Sequence, residues 1–490
     1  MRINPASYET QAQARSNSPR YVIVLHFDDA GTDKLYLTSH SGTDTPDPAN
    51  TIQGCLEQVS SISQEVDAFN FSSTIGVMSF DVVDKSRALT NALRARDLDN
   101  KSLRKRTVQL YRGFGGFTWG EYVLFQTPLV KNFSSDFNKY RFKCEDIQRE
   151  TKTELFEPKE TILAASIDTA VDTTITVTQT VGFQPVWHVE TFDDAPNQEV
   201  GYLVVEDGDL YMLVRYTGTT SNTFTGCTFG VLGTAAIDIN AFDSSEFPES
   251  RKLVIKEHIY LEMNAIHLAY ALQTGDIYGT GKSLPPHWNL GIAAQYIDTA
   301  SFVNIGPDIW NPLDNTVGKQ LEFNGIAPVD GKQFIQEQIY SYCNVFSPVL
   351  STGELGLRRL AAVLSTSPYD HVWDSSNIIK ISPVTEALDE VVNRFQINWG
   401  YEHVKERYRR THRLRDPDSA AKHKETPFKV LSLQGLAAQK NTIDQIKLQF
   451  DGFRDKFSGP PKHADIWLDH SFDNVEVGDT GRITLDNFPD

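Results

Sequence analysis

A chain of 490 residues exceeds the roughly 250–300 at which a single hydrophobic core stops growing, which excludes a one-core protein and predicts two to four domains. Aromatic residues make up 11% of it, led by 28 Phe and 18 Tyr, a composition suited to pleated, half-buried sheet surfaces. The net charge of −18, from 46 Lys and Arg against 64 Asp and Glu, argues against a surface that grips nucleic acid, because such surfaces displace phosphate counterions with basic side chains.

Acidity of this size keeps a chain soluble, and an acidic channel repels phosphate so that DNA slides past without sticking. Cys55, Cys144, Cys227 and Cys343 are dispersed and form no C-x-x-C pair. Free, buried thiols are therefore expected, not a zinc site or an iron–sulfur cluster. The first twenty residues contain no apolar h-region, so no secretory signal is expected. No stretch approaches the roughly 20 apolar residues of a spanning helix, so a chain made in the cytoplasm without stable membrane insertion is expected.

Residues 1–20 are polar and aperiodic and read as an extended arm. Tyr21–Phe27 and Lys34–His40 flank an Asp/Gly turn and predict a hairpin. Thr74–Val83 reads as a strand, Arg87–Arg96 has helical spacing of Leu and Ala, and Thr107–Tyr111, Gly120–Phe125 and Lys139–Cys144 read as strands. Residues 21–160 thus predict a β-barrel or sandwich with one short helix. A charged stretch ends near Thr161, after which Thr173–Phe183 alternates and Glu199–Thr234 strings short strands between tight turns. Residues 161–242 predict an inserted all-β module.

Apolar periodicity returns in Ile259–Gly275, a predicted helix closed by Gly275. A Pro-rich loop, a short helix at Gly291–Ile297 and a second amphipathic helix at Lys332–Val345 complete a helical section over 243–345. A hairpin turning at Ser351-Thr352-Gly353 follows, and Arg394–Glu402, Ile466–Phe472 and Gly481–Asn487 read as strands within 346–490. Between them lie a basic polar stretch and a helix-like run near Gln434–Leu448. No repeat of solenoid length is present. The fold class is therefore mainly β with an α+β section.

The sequence shows none of the H-E-x-x-H, G-x-S-x-G or Walker spacings that enzymes use, and no cofactor or metal is expected. GFGGF at Gly113–Phe117 lacks the following helix and the Lys-Ser/Thr pair of a phosphate loop, so it reads as a turn. His258 and His267 are nine residues apart, which does not stack them one helical turn apart. Asp416, Asp418 and Ser419 read as an Asp-Pro turn, because the Gly and distal Glu of a calcium loop are missing. The pairs Asp28 with Asp29 and Asp193 with Asp194 read as solvated turns. Lys405, Arg407, Arg409, Arg410, Arg413 and Arg415 form the strongest local charge feature. They read either as a contact to an acidic neighbouring subunit or to DNA, or as a solvated loop.

Three stretches together resemble the baseplate hub or tail-tip hub proteins of tailed phages, and the hub proteins of gene transfer agents. IQGCLEQVSSISQEVD, IGVMSFDV and RKRTVQLYRGFGGFTWGEYVLFQTPLV with YRFKCEDI resemble the amino-terminal barrel of such hubs. ETILAASIDTAVDTTITVTQTVGF with VGYLVVEDGDLYMLVRYTGTT resembles a small β-module of phage tail proteins, although Phe229-Gly230 stands where that module has Arg-Gly. NAIHLAYALQTGDIYGTG through CNVFSPVLSTGELGLRRL is similar to the hub core, with Asn264-Ala265 in place of Asn-Pro. VEVGDTGRITLDN resembles the closing strands of a second barrel, with its turn at Gly478-Asp479.

The resemblance implies two tail-tube-like β-barrels per chain and a homotrimer that adapts a sixfold tail tube to a threefold tip. It implies partners among distal tail and other baseplate or tail-tip proteins in the virion, and transient passage of DNA without specific binding. A non-enzymatic role follows. The competing readings are a tip-associated cell-wall hydrolase, which lacks a catalytic constellation, and a host-glycan binding module. The latter would stack sugars on Trp187, Tyr202 and Tyr211 and requires them to be exposed.

Overall fold

The computed structural model describes residues 5–12, 18–28, 30–60, 66–67, 71–73, 76–96, 103–187, 199–207, 210–239, 253–305, 320–360, 369–402, 407–436, 447, 451, 454, 457–469 and 475–484. Within them the chain is mainly β, with a few short helices.

The N-terminal unit is two antiparallel-dominated sheets face to face. One contains Lys34–Thr38, Arg20–His26, Val108–Gly113 and Val123–Gln126 side by side; the other contains Leu129–Asp136, Lys139–Glu145, Val77–Val83 and Leu56–Val59. Alternating side chains of both, among them Ile23, Leu25, Leu37, Phe80, Val82 and Phe142, fill the space between. The helix Ala88–Ala95 adds Leu89 and Leu93 to that core. The sheets touch at an isolated bridge, Thr107 with Leu129, but the described strands form a sandwich and do not close into a barrel.

The N-terminal arm is not simply extended. Ala6–Ala12 is helical, and Tyr8 is fully buried against Phe114 and Phe117. Arg112 Nε donates to its hydroxyl at 3.0 Å. The turn Gly113–Phe117 therefore serves as a seat for the arm.

The inserted module is a sheet in the order Glu160–Ile162, Val254–His258, Glu199–Asp207, Leu210–Tyr216, Thr228–Phe229, with its own core around Leu203, Met212, Val214, Tyr216 and Phe224. Val254–His258 leads through Ile259 directly into Tyr260–Asn264, so the module is continuous with the centre of the molecule.

That centre is the largest apolar core. The predicted helix Ile259–Gly275 divides: Tyr260–Asn264 is a strand paired with Gln320–Asn324, and only Ala265–Thr274 is helical. Asn264 caps the helix by accepting from Ile266 N and His267 N, and Gly275 closes it at φ +84°. Gly291–Ile297 forms only a single tight turn at Ala294–Tyr296. The second core helix runs Gly331–Phe334, Ile335–Tyr340 and Ser341–Cys343, the middle segment being a π turn.

Beyond residue 369 the described strands are sparse. Arg394–Glu402 lies between Arg407–Arg415 and Lys429–Ser432. His371–Asp374, Ile378–Ile381 and Thr385–Glu386 pair one-to-one with Gly481–Thr484, Ile466–Leu468 and Lys462–His463. These pairs form a narrow ribbon, and no closed barrel is present among the described residues. The run near Gln434–Leu448 lies largely outside them.

Candidate functional site

The basic stretch is a strand, not a loop. Arg407–Arg415 pairs antiparallel with Arg394–Glu402 along nearly its whole length, and it is the outer strand of its sheet. Phe395, Ile397 and Trp399 point into the central core, which leaves their partner strand on the surface. Its arginines are all exposed. Lys405 lies outside the described residues.

Two carboxylates organise this strand. Glu402 receives Arg409 at 2.7 Å and Arg407 at 3.6 Å, while Glu425 receives Arg415 at 2.9 Å and Arg394 at 3.2 Å. The bond to Glu402 raises the Arg409 guanidinium further above its ordinary value. Arg410 and Arg413 meet no carboxylate among the described residues. Arg410 lies over Trp399, 4.7 Å from its centroid, and Arg413 donates to Gln396 Oε1 at 2.9 Å while lying 5.4 Å from the Phe428 ring. A guanidinium over an aromatic ring gains a cation–π contact without using all of its N–H donors. Asp416 ends the strand as the cap of the helix Pro417–His423, accepting from Asp418 N and Ser419 N with Pro417 at the first turn. The Asp-Pro signal therefore marks a helix start.

A second polar constellation lies where the N-terminal sandwich meets the core helix, and no local sequence signal announces it. Lys332 Nζ donates to Ser73 O and Gln148 Oε1, each at 2.9 Å. Gln148 Nε2 in turn donates to Ser73 Oγ at 2.7 Å and Ser347 O at 3.2 Å. Asp146, 2% exposed, accepts from Gly76 N and Gln148 N. Burial lifts its carboxyl to about 6, and burial lowers Lys332. A cavity of about 30 Å³ lies here, lined in part by Gln273 and Tyr340. Its size and polar lining suit bound water.

The remaining candidates are structural. His258 Nε2 lies 2.6 Å from Asn324 Oδ1, and His267 is buried on the core helix. Asp28 holds its own turn by accepting from Thr32 N and Asp33 N; Asp29, Asp193 and Asp194 lie outside the described residues. All four cysteines are buried thiols, and burial pushes that of Cys55 up to about 11 and those of Cys144 and Cys227 up to about 12. Among the described residues, no three His, Cys, Asp or Glu side chains gather to hold a metal ion, and no helix is long and apolar enough to cross a membrane.

Of the aromatic residues considered for sugar stacking, Tyr202 does not present its ring to solvent. Tyr202 is buried against Tyr260, ring centroids 5.0 Å apart. Tyr211 is half-buried, and burial pushes its phenol up to about 12. The side chain of Trp187 lies outside the described residues. Tyr260 itself donates to Glu262 Oε2 at 2.8 Å, so Tyr202 serves the joint between module and core.

No family model and no curated protein matches this chain. Solved structures to which it is similar include phage tail proteins and a gene transfer agent. A chain in the virion of a native gene transfer agent particle is 14% identical, over 52% of this chain and 84% of the other, with a TM-score of 0.26. The tail protein from Neisseria meningitidis MC58 is 8% identical over 95% and 87%, with a TM-score of 0.38. Prophage tail protein gp18 from Listeria monocytogenes EGD-e is 9% identical over 95% and 84%, with a TM-score of 0.36.

Proposed function

We propose that this chain is a structural, non-enzymatic subunit of a phage-type tail, a baseplate or tail-tip hub that works as part of a homotrimeric ring. The ring closes the tail tube, anchors neighbouring tip proteins and lets DNA pass. The observation that carries this reading is the set of large apolar side chains exposed on the C-terminal strands. Among the described residues these strands occur in pairs, and Ile379 is 71%, Leu388 67%, Val372 53% and Trp467 45% exposed. Isolated two-stranded ribbons are marginal in water, and large side chains left in water on such a ribbon mark a surface made for a neighbour. The sandwich and the inserted module, by contrast, each enclose a core of their own.

Light scattering of the purified chain, followed by negative-stain imaging of the peak, tests this. A trimeric ring with a central opening supports the hub; a monodisperse monomer at every concentration overturns it.

A further inference from the structure

We infer that the basic strand Arg407–Arg415 of one copy docks on the acidic, apolar C-terminal ribbon of the next copy, head to tail. This inference rests on the ring reading above and specifies which surfaces close the ring.

The strand's own chemistry disfavours the simplest alternative. An exposed outer strand nine residues long is a template for pairing with another chain. Pairing it with itself about a two-fold axis, in full register, sets Arg407 opposite Arg415 and Arg409 opposite Arg413. Like charges directly opposite destabilise a strand pair. A symmetric contact through this strand is therefore disfavoured, and a contact between two different surfaces is favoured. Contacts of that type, repeated by rotation, close into rings.

Charge selects the second surface. The strand and its neighbour Arg394 carry six arginines against Glu402 and Glu425, in a chain of net charge −18. The ribbon end offers the complement. Glu386, Asp389 and Glu390 flank the exposed Leu388 in the chain, with Lys462 opposite Glu386 and His463 3.3 Å from Glu390, so that Asp389 and the outer edges of the other two carboxylates face outward. Ile379, and Trp467 beneath the Lys380 ammonium at 4.6 Å, extend the apolar part along the neighbouring strand pair. Ile379 is the extra residue at a break in register between Ile378 and Lys380, which turns it outward. Arginine suits such a surface, because its stem covers apolar side chains while its head reaches carboxylates. Arg410 and Arg413, which have no carboxylate of their own among the described residues, are the side chains available to make those bonds.

The test is a charge exchange in the full-length chain, read by light scattering and sedimentation. Arg410→Glu with Arg413→Glu should weaken association about tenfold or more, as should Glu386→Lys with Asp389→Lys and Glu390→Lys. The five substitutions combined should restore it, a recovery that misfolding does not produce. Ile379→Asp with Leu388→Asp, both at exposed positions, should weaken association without lowering the melting temperature. If the wild type forms its ring and every variant forms it equally well, the inference fails while the ring reading stands. If the wild type is monomeric throughout, both fail. If the arginine variants keep the ring but lose retention of a short DNA duplex that the wild type binds, the strand belongs to nucleic acid and the inference is overturned.

Discussion

Lys332 Nζ stands 2.9 Å from Gln148 Oε1, and that contact ties the core helix to the N-terminal sandwich. Because Gln148 also reaches Ser73 and Ser347, one buried amide and one ammonium hold three segments of chain together. Replacing Lys332 with Met keeps the apolar stem and removes the donor, leaving Ser73 O and Gln148 Oε1 short of a partner. An unsatisfied buried acceptor costs about 1–3 kcal/mol. Lys332→Met should therefore lower the melting temperature measurably, and an unchanged transition would mean that apolar packing alone holds the joint.

The same joint makes stability depend on pH. Burial lifts Asp146 to about 6, above the ordinary value near 3.9. A group raised on folding contributes stability that is fully present below its unfolded value and is lost as pH rises through its folded value. The contribution of Asp146 is therefore present below about pH 4 and gone above about pH 6. Asp146→Asn does not titrate, so its stability relative to wild type should improve by about 1–3 kcal/mol between about pH 4 and pH 7. Denaturant titrations of both proteins across that range check it; a difference independent of pH would contradict the buried, protonatable carboxyl.

Gly201 sits directly opposite Tyr216 in the inserted module, and the tyrosine ring lies over it. A Cβ at this position would stand 2.1 Å from the ring. Tyr216 is 1% exposed and packs at a tilt against Phe224 in the module core, so it has no room to move away. Gly201→Ala should destabilise the module by about 1–3 kcal/mol or more, while Gly116→Ala, where nothing lies within 4 Å but φ is +88°, should show only backbone strain. Limited proteolysis confined to the module in the Gly201 variant is the expected signature.

Local signals are readable wherever the chemistry is local. The hairpin over residues 21–40 follows from β-branched runs around an Asp/Gly turn, and Gly275 ends its helix as expected. Other features are hidden for identifiable reasons. Tyr260–Asn264 is buried on both faces, so it lacks the alternation that separates strand from helix. Arg407–Arg415 is exposed on an edge, so its polarity resembles a loop. The arm helix depends on Tyr8 meeting Phe114 and Phe117, far along the chain. The Lys332 contact spans 184 residues, and no spacing rule reaches that far. The arginines are identifiable as a cluster, yet their arrangement depends on Glu402, Glu425, Trp399 and Phe428, which only folding brings to them.

The π turn Ile335–Tyr340 explains how the basic sheet is fixed to the core. It presents Gln338, whose Nε2 donates to Ser432 O at 3.1 Å and whose Oε1 accepts from Gln434 N at 2.8 Å. The side-chain amide thus imitates a strand partner for the segment that follows Lys429–Ser432, the edge strand on the other side of Arg394–Glu402. Gln338→Leu removes both bonds at similar volume and should cost about 1–3 kcal/mol, with faster amide exchange at Ser432–Gln434. Gln338→Glu keeps the acceptor for Gln434 N but turns a carboxylate toward the Ser432 carbonyl, so exchange should rise while Gln434 retains part of its protection. Equal protection at both positions in all three proteins would mean that the basic sheet is held by the core contacts of Phe395, Ile397 and Trp399 alone.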